Sequence, residues 1–352
     1  MAYTTIDDPS VHFQVAPTWT GGTSAKTLTN DGNSDLQPDL VWIKCRNASQ
    51  PHSITDSSRG TSKSFTSATD AAEVDDSRFT SFNTDGFTLA GSSGPVNTSG
   101  GTYVGWQWKA NGGTTASNSN GSITSTVQAN TTAGFSIVQY TGTGTAATIG
   151  HGLGVAPDMY IVKNRDQTGT NWTVFHKDLT SNAYSLYLNS TAAQSNSVGY
   201  WNGTSPTSTV FSIKNTSGDV NTNTEDYVVY CFASKQGYSK FGHFTGNGVI
   251  NGTFAYTGFK PAWVLIKEAN STTAWGYWDH KRVLYNPNNS VLLANTAAVP
   301  YTGSSYAVDF LSNGFKMRTN DGAWNGSDDT YIYAAFAEEP LVTSGGVPAT
   351  AR

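Results

Sequence analysis

Two short spacings in this chain could support polar chemistry. Asp56-Ser-Ser-Arg59 and Asp279-His-Lys-Arg282 each set a carboxylate three residues before a guanidinium, whereas the corresponding stretch between them reads Phe175-His-Lys-Asp178. The functional reading is a shared polar site. The plainer one is an ion pair bracing a turn, worth about 0–1 kcal/mol when exposed, and a motif missing from one of three stretches fits that brace. His12, His52, His151, His176, His243 and His280 stand in no ligand spacing with one another or with Cys45 and Cys231, so no metal site is expected. Gly326-Ser-Asp-Asp-Thr330 offers oxygen ligands without a recognisable calcium-loop spacing and reads as turn capping. There is no Gly-x-Ser-x-Gly elbow and no distinct acid pair, and Gly142-Thr-Gly-Thr145 reads as a turn rather than a phosphate cradle. The expectation is a non-enzyme without a cofactor.

The remaining chemical signal is aromatic. Tyr200-Trp201-Asn202-Gly203, Trp275-Gly-Tyr-Trp278 and Trp324-Asn-Gly326 set large flat rings among amides and hydroxyls. Such groups stack on sugar rings, anchor interfaces, or close the ends of a core. Tyr200, Trp201, Trp275, Trp278 and Trp324 are therefore the candidate binding residues, for a glycan or for an interface.

The elements that must position these residues recur along the chain. A Pro followed by an apolar run ending in Lys appears as Pro38–Lys44, Pro157–Lys163 and Pro261–Lys267. An aromatic run appears as Tyr103–Trp108, Tyr227–Phe232 and Tyr331–Phe336, with Asp85–Leu89, Val210–Ile213 and Asn313–Met317 between. The second and third copies keep one offset of 104 at Lys163 and Lys267, at Phe211 and Phe315, and at Tyr227 and Tyr331. Markers that hold one offset point to tandem domains of one ancestry. Six or seven short runs rich in β-branched and aromatic residues, divided by turn clusters, make each copy an antiparallel β-sandwich of jelly-roll or lectin-like type. No capped apolar stripe of helical period interrupts them.

The expected division is a first repeat over 1–110, a linker over 111–133, a second repeat over 134–233, a third over 238–342 and a flexible tail over 343–352. The 111–133 tract is almost devoid of large apolar side chains and reads as a wide hinge. The short Ser234–Tyr238 joint should instead pack the second and third repeats as a pair.

Only 13% of the 352 residues are charged, against a typical figure of about 25%. The net charge is −5 and the 20 Lys and Arg form no run, which argues against a nucleic-acid partner. No apolar stretch approaches the roughly 18 residues of a membrane helix, and the first residues lack a secretory pattern, so membrane insertion and general export are not expected. Two isolated cysteines fit free thiols made in a reducing cytoplasm.

Ala2–Ser10 with Phe13-Gln14, Pro38–Lys44, Asp56–Gly60, Phe82–Phe87, Tyr103–Ala110, His151–Pro157, Tyr238–Gly242, Phe310–Phe315 and Tyr331–Tyr333 resemble a set of virion structural proteins of marine bacteriophages. The resemblance spans nearly the whole chain and brings no catalytic residues with it. It implies a virion location, other virion proteins as partners, and a homo-oligomer, by analogy with fibres a trimer. It also implies a tail-fibre or adhesin subunit that touches host-surface glycan, with a head-decoration or tail-connector protein and a glycan-active depolymerase as alternatives.

Overall fold

A computed structural model describes residues 4–215 and 217–339. The chain is almost entirely β, and every pairing between its strands is antiparallel. The tail expected over 343–352, and the last residues of the third repeat, lie outside the described residues.

Three large sheets share one strand order. In the first, Phe13–Val15, Thr102–Trp108, Leu40–Cys45 and Ser53–Asp56 lie side by side. In the second the order is Phe135–Thr141, Asp226–Phe232, Met159–Asn164, Thr173–His176 and Leu186–Tyr187. In the third it is Ser239–Thr245, Thr330–Phe336, Trp263–Glu268, Gly276–Asp279 and Ser290–Leu293, with Tyr301–Thr302 at the edge. Each aromatic run is thus a central strand paired with its Pro-to-Lys run, and the register repeats: Lys44 faces Val104, Lys163 faces Val228, and Lys267 faces Ile332.

The expected linker is not one. Within 111–133, Ala116–Asn118 and Ser125–Asn130 form strands that extend the second sheet beyond Phe135–Thr141. Its amides and hydroxyls are used locally: the buried Gln128 side chain accepts from Asn111 N–H and Gly113 N–H and donates to the Ser57 and Ser58 hydroxyls, tying the tract to the first unit. No wide hinge separates the first two units, because short polar residues suit an edge strand as well as a linker.

Side chains alternate across a strand, and here both faces of the central strands are buried. Val104, Trp106 and Trp108, then Val228, Tyr230 and Phe232, then Ile332, Ala334 and Phe336 all enter one apolar core shared by the three units. The opposite faces, which include Tyr103, Tyr227 and Tyr331, fill three separate cores. Small sheets contribute to those private cores: Lys26–Leu28 with Phe87–Leu89 and Phe79–Phe82, Ala147–Gly150 with Val210–Ile213, and Phe254–Tyr256 with Gly314–Met317 and Val308–Leu311. Each unit is therefore a sandwich on its outer side and one third of a common core on its inner side. Phe336 shows this directly, with ring centroids 5.2 Å from Phe13, 5.7 Å from Trp108 and 5.9 Å from Phe232. A gap of about 40 Å³ remains at the centre, lined by Trp42, Trp108, Trp172, Phe232 and Trp263 among others. Its lining is wholly apolar, so it stays dry.

The tyrosine that opens each aromatic run holds a local corner. The Tyr103 hydroxyl accepts from Thr98 N–H and donates to Gly94 C=O; Tyr227 does the same with Thr222 and Gly218, and Tyr331 with Gly326 and Gly322. The partners lie five and nine residues upstream in all three. One residue beyond the nearer partner, the buried Asn97, Asn221 and Asn325 satisfy loop backbone with side-chain amides in each unit.

Because the inner core is continuous, the three units should unfold together. Calorimetry is expected to give a single transition, and Phe336→Ala should lower its stability by about 3–5 kcal/mol without splitting it. Separate transitions for the units would contradict the shared core.

Candidate functional site

The seams between units hold most of the buried polar chemistry. Just before the fourth strand of each large sheet stands a ring whose N–H donates to a carbonyl of the preceding unit. Trp172 Nε1 reaches Thr66 O at 3.0 Å and Trp275 Nε1 reaches Tyr187 O at 2.9 Å. His52 Nε2 lies 3.1 Å from Leu293 O and 3.0 Å from Thr296 O. The order is closed: first to third, second to first, third to second. Two carbonyl partners fix His52 with its proton on Nε2, leaving Nδ1 to accept from the Trp42 indole at 2.8 Å. Burial, reinforced by Lys44, lowers His52 to about 3, and burial lowers His176 to about 4, with its Nε2 facing Tyr333 O across the second seam. His280, aligned with His176 by the repeat offset, instead faces the Glu338 carboxylate, so these two histidines do not fill one niche.

Lys44, Lys163 and Lys267 are buried at one end of the inner core. Lys44 donates to Cys45 O and across a seam to Ala297 O, Lys163 to Thr170 O and across a seam to Asp70 O, and Lys267 to Glu268 O and Ser271 O. Burial lowers all three to about 8.

The Asp-x-x-Arg pair is a seam element rather than an exposed brace. Arg59 and Asp56 side chains are fully buried, with Nε 2.5 Å from Oδ2. The Tyr230 hydroxyl of the second unit donates to Asp56 Oδ2 at 2.7 Å. Glu73 then bridges Arg59, at 2.8 Å, to Arg165 of the second unit, at 3.0 Å. Burial alone would pull the Arg59 guanidinium down, but Asp56, Tyr230 and Glu73 outweigh it and hold it above its ordinary value. Burial likewise opposes the Glu73 charge, yet Arg165 and Arg59 keep its carboxyl below the usual range. Asp279 and Arg282 repeat the 2.5 Å pair in the third unit.

All five aromatic candidates are buried, which removes them as open stacking surfaces. Tyr200 donates to Asp219 and lies 2.9 Å from the Tyr187 hydroxyl, while Trp201 donates to Tyr184 O at 3.1 Å. Trp275 spans a seam, as above, and Trp278 donates to Tyr306 O at 2.8 Å. Trp324 packs edge-on against Trp278, centroids 5.2 Å apart. The sequence places these rings beside turns, but Tyr200, Trp201, Trp278 and Trp324 fold back over the private core of their own unit and Trp275 enters the shared one. Trp324 also lines an opening.

That opening is a shallow cavity of about 190 Å³ in the third unit, lined by Ala274, Leu293, Tyr301, Tyr306, Asp321, Ala323 and Trp324. Tyr301 stands on the edge strand opposite Val291. Tyr306 ends a short 3₁₀ turn, and its ring is tilted 45° to that of Tyr301 at 6.0 Å. Asp321 caps the turn Gly322–Asn325 by accepting from Ala323 N–H through Oδ1 at 2.9 Å. Gly276 makes the floor possible: a Cβ there would lie 2.5 Å from the Trp324 ring.

The same unit carries most of the exposed large apolar surface. Of ten such side chains among the described residues, Val74 and Val155 alone lie in the first and second units. Val249, Ile250, Phe254 and Tyr256 fall in one stretch of sequence, and Leu284, Tyr285, Val299 and Tyr301 in a second. The sheet Phe254–Tyr256, Gly314–Met317, Val308–Leu311 links them, because Asn286 is hydrogen-bonded to the Phe310 backbone through both side-chain atoms. Among the described residues no group of three His, Cys, Asp or Glu converges as a metal site, and no helix is long and apolar enough to cross a membrane. Sequence reading missed Tyr301 and Tyr306, each standing singly among small and polar residues that were its only signal.

A family model described as a domain of unknown function, DUF7483, matches residues 8–340, and the chain belongs to that family. No curated protein and no solved structure matches the chain.

Two outcomes are expected from the seams. Arg59→Met leaves Asp56 and Glu73 without their buried partner and should cost about 3–5 kcal/mol, read by denaturant unfolding. Second, for buried His and Lys with lowered values the unfolded chain binds more protons between the folded and unfolded pKa, so stability rises with pH there. Thermal midpoints should therefore climb from pH 4 toward 6.5 through His52 and His176, and again above pH 8 through the three lysines. A flat profile across both windows would refute the buried states assigned to them.

Proposed function

We propose that this protein is a structural subunit of a bacteriophage particle, a tail-fibre or adhesin component whose third unit is turned toward the host surface. The observation that carries the reading is the uneven distribution of exposed apolar side chains. Concentrated exposed apolar surface, beyond scattered single residues, marks contact sites, and among the described residues eight of the ten exposed large side chains fall between Val249 and Tyr301. The first and second units resemble the third in strand order but not in this surface. A rigid body with one differentiated unit suits a part that is held by two thirds of its bulk and makes contact with the remainder. The tandem ancestry of the three units, the glycan-bearing host surface as partner, the neighbouring virion proteins and the trimeric assembly belong to the same proposal.

The aliphatic members of the surface, Val249, Ile250, Leu284 and Val299, favour a second reading, a head-decoration or connector protein whose third unit binds another virion protein. Cryo-electron microscopy of the particle separates the two. Density for this chain at the distal end of tail appendages, with Tyr285 and Tyr301 facing outward, is the expected result. Placement on the capsid or within the tail, with those residues covered by a neighbour, would overturn the adhesin reading in favour of an assembly role.

A further inference from the structure

We infer that the cavity beside Tyr301 is a binding site for one neutral hexose unit, such as the terminal residue of a surface polysaccharide; the inference rests on the reading of the third unit as the contact face. Size sets the first limit. At about 190 Å³ the cavity lies below the roughly 300 Å³ at which pockets for drug-sized ligands begin, so it holds a single ring rather than an extended chain.

Shape and chemistry set the rest. The Tyr301 and Tyr306 rings are inclined at 45°, so they cannot clamp a flat base between parallel faces. They suit a puckered ring whose C–H face rests on one phenol while its edge meets the other. Tyrosine supplies both an apolar body and a polar tip, and neither hydroxyl has a hydrogen-bond partner within the protein among the described residues. Asp321 is poised in the same way. Its Oδ1 is occupied by Ala323 N–H, whereas Oδ2 has no protein donor among the described residues and can accept from a sugar hydroxyl, a charge-assisted bond stronger than a neutral one. Leu293 and Trp324 give the ring an apolar floor. The lining holds a carboxylate and no cationic side chain, so an acidic sugar or a phosphate would meet repulsion without compensation.

The site is particular to the third unit. Tyr301, paired with Val291, takes the place of Ser195, paired with Ser185, in the second unit, and at the offset of 104 kept by the tyrosine corners Asp321 and Trp324 take those of Ser217 and Val220. The second unit therefore has no acid and no aromatic ring at these three positions.

The test is saturation-transfer NMR on the full chain with methyl α- and β-glycosides of glucose, galactose and mannose, and with methyl β-glucuronide as the acidic probe. Transfer from at least one neutral glycoside is expected, in the millimolar range typical of a single sugar ring, with little or none from the glucuronide. Tyr301→Ala should weaken binding at least about tenfold with an unchanged thermal midpoint, since that side chain is exposed. Asp321→Asn retains an oxygen able to cap the turn and should weaken binding while leaving the fold intact. Absence of transfer from every neutral glycoside, equal transfer in both variants, or preference for the glucuronide would each overturn the inference. Because the titration uses the isolated chain, its failure removes the sugar site alone, whereas capsid placement removes the adhesin reading alone.

Discussion

Everything in this structure depends on strands that are buried on both faces. An antiparallel sheet commonly leaves one face to water, but the central strands Thr102–Trp108, Asp226–Phe232 and Thr330–Phe336 have no wet side after their first residue. One face of each builds a private sandwich and the other builds the common interior. Where three such sheets meet, several polar groups at their margins are paired with a neighbouring unit. The indole and imidazole donors, the lysine ammonium groups and the Asp56–Arg59–Glu73–Arg165 chain are therefore consequences of the same apolar closure. They stabilise little as isolated pairs, because desolvation offsets attraction. Their effect is to make any other arrangement of the units leave charges buried and unpaired.

Part of this was legible in the sequence. The all-β class followed from short aromatic and β-branched runs between turns, and the recurring runs mark strands that occupy the same place in each sheet. Lys44, Lys163 and Lys267 signalled the end of a strand, though not their own burial, since a lysine after an apolar run ordinarily snorkels to water. The common interior was hidden for a specific reason. A strand buried twice shows no alternation of polar and apolar residues, so its two faces cannot be assigned to two different cores from one chain alone. The 111–133 tract misled because serine, threonine and asparagine serve edge strands here as well as loops. The burial of Trp201 and Trp324 was not legible because a ring next to Asn-Gly can point outward or fold inward, and the choice depends on what lies beneath. For Trp324 that is decided by a glycine nearly fifty residues away, Gly276, whose missing side chain opens the space for the ring.

The third unit shows how one frame accommodates a difference. Its tyrosine corner, its buried asparagine and its strand order match those of the other two, and those features lie on the inner and middle layers. What distinguishes it lies on the outer small sheet and in the loops around Leu284 and Tyr301, which contribute little to the closure. Exposed side chains there make no contact with the seams, so surface chemistry can change without disturbing them.

The position of Thr330–Phe336 has a consequence for synthesis. This strand is central to the third sheet and sends Phe336 into the interior, yet it is the last of the described strands to leave the ribosome. Until it emerges, the inner faces of the first two sheets have no complete counterpart, and their tryptophans and phenylalanines remain open to water or to other nascent chains. A product ending before residue 330 would lack the strand that lets the three sheets close on one another. Such chains would present sticky apolar surface to cellular proteases and chaperones, and the finished molecule alone would escape them.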